Sequence, residues 1–159
     1  MWNHADVDAW RRGRQAFAAA LLVFLSGPAC VGPARTFETY EGKAVAAAEE
    51  TVSALRTAIL GARVAVEGRS FPPTTSVLLA DAERDAIGAR GSFASIQPPD
   101  GASDRLREEL IAMLDDAVDR LARLRIAARR TDLEGLGLLA DPLPELASRL
   151  ERFAGEHVS

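Results

Sequence analysis

The chain has 159 residues, 19 basic and 23 acidic side chains, a formal net charge of −4, and 48% hydrophobic residues. This length suits one domain of ordinary size. The acidic balance argues against a protein that binds nucleic acid through a basic face. Because Cys30 is the single cysteine, no disulfide bond can form within the chain, and the fold must depend on its hydrophobic core.

The first thirty residues follow the order of a secretory signal peptide. Three arginines within residues 11–14 precede the uncharged run Ala16–Leu25, and small residues then lead to Cys30. The uncharged run is about half as long as the ~20 residues that a membrane-spanning helix needs. We therefore predict that residues 1–29 are a signal peptide that is removed, rather than a permanent transmembrane anchor.

The end of this segment, from Leu25 to Cys30, reads LSGPAC and resembles the signal of bacterial lipoproteins. In that family a diacylglycerol is attached to the cysteine that becomes the new N-terminus. The resemblance, to uncharacterised helical lipoproteins of high-GC bacteria, implies a lipid on Cys30 and attachment to the extracytoplasmic face of the cell membrane, but no particular activity. Two alternatives stay open: secretion after cleavage at Ala29 or Ala34, and a cytoplasmic protein with an apolar first helix.

The rest of the chain has the pattern of a helical domain. Residues 30–38 contain glycine and proline without any period, and we predict that they form a short tether. From residue 39 onward, four segments have apolar residues at helical spacing, and no segment alternates as a strand does. The links between them are short. We therefore predict an all-α domain over residues 39–159, an antiparallel four-helix bundle with up-down-up-down order.

The first predicted helix has the most regular pattern. Apolar residues recur at alternating spacings of three and four from Val45 to Val66, which is typical of a heptad seam. Gly68 and the pair Pro72–Pro73 are expected to end this helix. Thr74 or Thr75 is predicted to cap the second helix. Its predicted apolar face consists of Leu78, Ala82, Ala86, Ala89, Phe93 and Ile96.

The third and fourth helices are marked by capping residues. Ser103 is predicted to cap the third helix, which carries a broad apolar stripe. The stretch Thr131–Glu134 matches a capping box and is predicted to open the fourth helix. With Asp141 as a cap, Pro142 is predicted to kink or restart that helix.

The residues after position 29 do not combine into a catalytic or metal-binding set. Carboxylate-bridged metal centres in bundles need Glu-x-x-His pairs, and catalytic triads need a histidine. His157 is the only histidine in this part of the chain, and Ala154 stands where the glutamate would be. Neighbouring carboxylates such as Glu49 and Glu50 point about 100° apart on a helix. We therefore expect no enzymatic activity, no cofactor and no metal.

Charged residues inside the apolar arcs predict contacts between helices. Arg125 falls within the apolar stripe of the third helix, and Asp85 at the border of the second. In an antiparallel bundle with short turns, we predict the interhelical ion pairs Arg125–Glu67 and Arg56–Asp85, which would fix the register. A functional alternative is an anion-binding mouth at one end of the bundle, formed by Arg125, Arg129 and Arg130.

Two functions remain. The first is an exported, lipid-anchored, non-enzymatic module that binds an envelope protein or scaffolds a complex. The second is an accessory or sensor domain that binds a small ligand in the Ala- and Gly-lined space between helices two and four. A sealed core with an exposed apolar strip would favour the first function. A closed apolar cavity with a few inward polar groups would favour the second.

Overall fold

The computed structural model describes residues 36–158 and folds them into five helical segments. These are α1 (Phe37–Val66), α2 (Pro72–Ala94), α3 (Gly101–Arg129), α4 (Leu133–Ala140) and α5 (Leu143–Glu156). α4 and α5 together form the fourth helix of the bundle, which is bent by about 30°. The described residues form the predicted four-helix bundle and contain no strand. The predicted signal peptide, Cys30 and most of the tether lie outside the described residues.

Both ends of α1 follow familiar capping chemistry. The backbone N–H of Thr39 donates to the side-chain oxygen of Thr36 at 3.2 Å, which satisfies one free donor of the first turn. At the other end Gly68 has φ +69°, and its N–H donates to the carbonyl of Ala65 at 2.9 Å. A glycine takes this left-handed conformation without strain, so the predicted end of the helix is confirmed.

The starts of the later helices differ from the predicted caps. α2 begins at Pro72 rather than after Thr74, because a proline at the first helical position lacks only an N–H that would be free anyway. Thr75 is therefore buried inside the helix, and its hydroxyl donates to Ser70 Oγ at 3.0 Å. In α3 the cap is Asp100, whose carboxylate accepts the N–H of Ser103 at 2.8 Å.

The fourth helix restarts at the proline, as predicted, but with different caps. At its beginning Asp132 accepts the N–H of Gly135 at 2.9 Å, so the cap lies one residue later than the predicted Thr131. α4 ends at Ala140 and α5 begins at Leu143. Asp141 closes α4 instead of capping α5, and Pro142 occupies the residue before α5. The break in the hydrogen-bond ladder at the proline accounts for the bend.

α1 is the helix around which the others pack. It contacts α2, α3, α4 and α5, whereas α2 makes almost no contact with α4 or α5. α1 and α3 therefore lie close together across the diagonal of the bundle. The α1 side chains that permit this approach are small and fully buried. They are Ala44, Ala48, Ala58 and Ala62.

The buried faces agree with the predicted stripes apart from shifts at the edges. In α1 the seam residues Val52 and Leu55 are buried, but Val66 at its end is 47% exposed. In α2 the buried residue of the second turn is Leu79, and Leu78 is 36% exposed. A methyl group on Gly61 would lie 2.5 Å from Leu78 Cδ2, so this glycine allows the close approach of α1 and α2.

The link between α2 and α3 sets the register of the two helices. Arg107, in the second turn of α3, donates to the carbonyl oxygens of Ala94 at 2.6 Å and Ile96 at 2.8 Å. The first turn of α3 therefore extends beyond the C-terminal end of α2. Farther from the link, Arg90 of α2 forms an ion pair with Asp115 of α3 at 2.8 Å. This offset decides which charged residues can meet across the two helices.

Candidate functional site

Within residues 36–158 there is no group of three or more His, Cys, Asp and Glu side chains that could hold a metal ion. The single histidine of this part contacts other side chains of the bundle. His157 Nδ1 lies 2.8 Å from Glu41 Oε1, and its ring packs on Phe153 with centroids 4.6 Å apart. These contacts join the C-terminal end of α5 to the second turn of α1. His157 thus links the two ends of the described part of the chain, which is a structural role.

Arg125 forms an interhelical ion pair, but with a different partner from the predicted one. Its guanidinium binds the carboxylate of Glu83 on α2, with Nη2 3.3 Å from Oε1. Glu67, the predicted partner, binds Arg69 in the α1–α2 turn. The offset between α2 and α3 explains the difference, because it moves Arg125 away from the turn and level with the third turn of α2.

Arg56 also pairs with a different helix. Its Nη2 lies 2.8 Å from Glu151 Oε1 on α5, and the predicted pair with Asp85 is not formed. The position of α1 between α2 and α5 explains this. Arg56 points towards α5, whereas Asp85 lies beside the groove on the α2 side of α1, with Glu50 and Arg84.

The predicted anion-binding mouth is only partly assembled. Arg129 and Arg130, at the end of α3, are exposed and enter no ion pair within the described residues. Arg125 is withdrawn from this group because it binds Glu83, and this hydrogen bond raises the pKa of its guanidinium. The two arginines at the helix end thus remain free cations next to the α3–α4 turn.

One side of the bundle carries two neighbouring grooves. The first has a volume of about 570 Å³ and lies between α1 and α5. The second, of about 390 Å³, lies between α1 and α2. Ser53 on α1 borders both grooves. We call this surface, which α2, α1 and α5 form together, the side face. Apolar side chains such as Val52 and Ala154 line its floor, and charged residues such as Arg56 and Glu151 lie at its rim.

One end of the bundle collects the exposed apolar side chains. We call this end the tip and define it as residues 60–78 and 123–141, the α1–α2 and α3–α4 turns with the adjoining helix ends. Eight of the ten large apolar side chains that are exposed in the described residues belong to it. They are Leu60, Val66, Phe71, Val77, Leu78, Ile126, Leu133 and Leu138. The chain enters the bundle at the opposite end, at Thr36.

The tip carries no net charge at its end. Arg125 is paired with Glu83, which lies outside the tip on α2. Residues 60–78 and 126–141 contain four arginines and four carboxylates. The exposed apolar side chains of the tip therefore lie among balanced charges.

Sequence reasoning did not identify the tip, although one residue indicates it. Phe71 lies in the α1–α2 turn, directly before Pro72, and belongs to no apolar stripe. Its side chain is 80% exposed. One exposed aromatic residue is ordinary on a protein surface, so Phe71 becomes informative only together with the other exposed apolar residues of the tip. The other tip residues could not be separated from core positions without the helix boundaries.

The space that was predicted to hold a ligand between helices two and four is not formed. Since α1 and α3 meet across the diagonal, α2 is kept away from α4 and α5. A cleft at the tip is lined by residues next to both turns, among them Gly68, Thr75 and Leu133, and has a volume of about 90 Å³. Drug-sized ligands usually occupy sites of about 300–1,000 Å³. This cleft holds at most one side chain.

No family model, curated protein or solved structure matches the chain. None of the helices within residues 36–158 is both long and apolar enough to cross a lipid bilayer. The geometry alone therefore describes this domain: an antiparallel helical bundle with a buried hydrophobic core, a grooved side face and an apolar tip.

Proposed function

We propose that this protein is an exported, lipid-anchored helical module that binds another envelope protein without catalysing a reaction. The lipoprotein-like segment that ends at Cys30 supports the export and the anchor. The side face supports the binding of a protein. It exposes α1 between α2 and α5 over two adjacent grooves, and it combines an apolar floor with a charged rim. Protein interfaces commonly have this composition.

The observation that carries the proposal is the packing of α1 against α3. Because these two helices meet across the diagonal, α2 lies apart from the fourth helix, and α2, α1 and α5 form a broad face with two grooves. Open grooves of this kind suit the side chains of a protein partner, whereas small ligands are usually held in enclosed sites. A second protein laid on the side face would cover both grooves at once.

The anchor is tested by mass spectrometry of the native N-terminus. A diacylglycerol on Cys30 is the expected result. An unmodified N-terminus at residue 30 or 35 would replace the anchor with secretion, and an intact Met1 would contradict export altogether. Cys30→Ser provides the matched control, since it removes the only possible site of acylation.

Protein binding is tested on the side face with Ser53→Arg, which places a long charged side chain at the border of both grooves. Ala112→Arg, on the exposed surface of α3, is the control. After detergent extraction of the envelope, the native mass of the complex is measured. We expect the wild type and Ala112→Arg to migrate as a complex and Ser53→Arg as the free protein. A wild type that migrates as a monomer would contradict the proposal.

A further inference from the structure

The two grooves of the side face differ in the surface that they offer to a partner. The groove between α1 and α5 has an apolar floor, in which Val52 and Ala154 are buried, and Val158 at its edge is 65% exposed. The groove between α1 and α2 has the small residues Gly88 and Ala89 on its α2 wall and charged residues beside them. The first groove therefore suits apolar side chains, and the second suits the charged ends of long ones.

The free charge on the side face is negative. Six charged residues line the two grooves, and both cations among them are already paired. Arg56 binds Glu151 of α5, and Arg84 binds Asp81 on its own helix. The other three groove residues with a charge are exposed carboxylates that form no ion pair or hydrogen bond within residues 36–158. They are Glu49, Glu50 and Asp85. A partner that covers them has to supply positive charge, because an unpaired charge is costly to bury.

These charges also decide against a second copy of the chain as the partner. Two side faces laid on each other would bring the unpaired carboxylates of both copies together, and like charges across an interface cost free energy. Lys43 and Arg63, which also form no ion pair in the described part of the chain, lie on α1 outside both grooves. A basic segment of another protein has the complementary charge.

Two glycines let the backbone of a partner come close to the side face. Gly88 lines the groove between α1 and α2, and Gly155 lines the groove between α1 and α5. Apart from the helix backbone itself, no atom lies within 4 Å of a Cβ placed on either residue, so the packing of the bundle does not require a glycine there. A glycine inside a helix costs about 1 kcal/mol relative to alanine. The open space above both glycines accommodates the close approach of another chain.

The grooves favour a helix as the partner segment. The described residues contain no strand, so an extended segment would find no sheet edge with which to pair. The first groove is lined by α1 within residues 49–57 and by α5 within residues 151–158. At 1.5 Å per residue, both walls are about 10–12 Å long. Side chains at positions i, i+3, i+4 and i+7 of a partner helix cover the same length.

We propose that the partner segment on the side face is a helix with an apolar edge and a basic edge. This inference rests on the proposed function, because it names the kind of segment that the side face binds. The helix lies along α1 over Ser53, which borders both grooves. Its apolar edge enters the groove between α1 and α5. The lysine and arginine side chains of its other edge bind Glu50 and Asp85 in the groove between α1 and α2.

The segment is identified by photo-cross-linking of the full chain in the cell envelope. A photoreactive phenylalanine analogue replaces Thr57 in the first groove or Gly88 in the second, and Ala112 on the exposed surface of α3 is the control position. Mass spectrometry gives the sequence of the cross-linked segment. We expect positions 57 and 88 to reach the same segment of another protein, and position 112 to give no cross-link. This segment should have a net positive charge and apolar residues at spacings of three and four.

The basic edge is tested with a synthetic peptide of the cross-linked segment, which is titrated against the full chain. Glu50→Gln combined with Asp85→Asn should weaken the binding about fivefold at low salt, because two exposed charge pairs are lost. The difference from the wild type should shrink at 1 M salt, where the Debye length is about 3 Å. Glu108→Gln combined with Asp119→Asn changes the net charge equally on the exposed surface of α3 and should bind like the wild type.

Two results would overturn the inference and leave the proposed function in place. The first is a cross-linked segment that is acidic or that lacks apolar residues at helical spacing. The second is equal binding of the peptide by the wild type and by the variant that carries Glu50→Gln and Asp85→Asn. A cross-link to a second copy of this chain would replace the basic partner with self-association. The absence of any cross-linked protein at positions 57 and 88 would contradict the proposed function and the inference together.

Discussion

Arg125 on α3 binds both carboxylate oxygens of Glu83 on α2, in a pair whose side chains are only 26% and 13% exposed. Of the Arg–Asp and Arg–Glu pairs in the described residues, this one has the least exposed acidic partner. It joins the two helices well away from their connecting turn. Together with Arg90–Asp115 it fixes the offset between α2 and α3.

Glu83→Ala is therefore expected to lower the free energy of unfolding more than Asp81→Ala. The carboxylate of Asp81 binds Arg84 within the same helix, and both side chains are largely exposed. A partly buried cation that loses its partner remains desolvated, whereas an exposed one is solvated by water. Urea unfolding of both variants measures the difference. An equal decrease in the free energy of unfolding of the two variants would mean that water fully solvates Arg125 in the absence of Glu83.

The residue with left-handed backbone conformation after α3 predicts a substitution that raises the free energy of unfolding. Thr131 has φ 55°, a conformation that a β-branched residue rarely adopts. We expect Thr131→Gly to raise the free energy of unfolding by about 1 kcal/mol, since glycine relieves this strain. Gly68→Ala, at the corresponding place after α1, should lower it by about 1 kcal/mol. Thermal unfolding compares both with the wild type, and a loss of stability in Thr131→Gly would contradict the assignment of strain.

The small residues of α1 predict a strong response to added volume. Ala58 is fully buried where α1 meets its neighbours, so Ala58→Leu should lower the free energy of unfolding by about 1–3 kcal/mol through overpacking. Ala112→Leu on the exposed surface of α3 should change it by less than about 0.5 kcal/mol. Chemical denaturation of the two variants provides the measurement. An unchanged free energy of unfolding in Ala58→Leu would show that α1 and its neighbours can move apart at little cost.

Asp100 predicts a dependence of stability on pH. The N–H of Ser103 donates to its carboxylate and keeps the pKa of Asp100 below its usual value. A carboxylate whose pKa is lower in the folded protein stabilises the fold above the pKa of the unfolded chain. This contribution is lost as the pH falls from about 4 through the folded-state pKa.

Asp100→Asn isolates this effect, because asparagine caps a helix nearly as well and does not titrate. We expect the wild type to lose more stability than Asp100→Asn when the pH is lowered from 5 to about 2. Asp119→Asn, on the exposed surface of α3, is the control and should keep the pH dependence of the wild type. Identical acid profiles for the wild type and Asp100→Asn would contradict the role of the carboxylate.

The fold class could be predicted from the sequence because it depends on periodicity. Four segments with apolar residues at helical spacing must bury their stripes against each other, and Pro142 had to interrupt the last one. The stripes of α1 and α3 were largely right, since Leu55, Leu110 and Leu121 define unambiguous faces. Leu78 and Leu79 show the limit of the method. Adjacent leucines differ by 100° on the helix, and the neighbouring turn alone does not decide which one is buried.

The contacts between helices could not be predicted, because they depend on register and on the order of packing. The pair Arg125–Glu67 followed from the assumption that α2 ends and α3 begins level with the link between them. Arg107 binds the carbonyls of Ala94 and Ile96 and shifts α3 past the end of α2. The pair Arg56–Asp85 failed because Arg56 reaches α5. The axial offset between two packed helices cannot be inferred from the spacing of apolar residues alone.

The unbroken course of α1 sets the distance between the proposed lipid anchor and the far end of the bundle. Its 30 residues hold Thr36 and the tip apart by about 45 Å, at 1.5 Å per residue. The six residue steps from Cys30 to Thr36 can extend over about 20 Å at most. In an upright bundle whose Cys30 is acylated, Phe71 would therefore lie about 45 Å farther from the lipid anchor's leaflet than Thr36 does. A partner that meets this end would have to reach that far above the membrane.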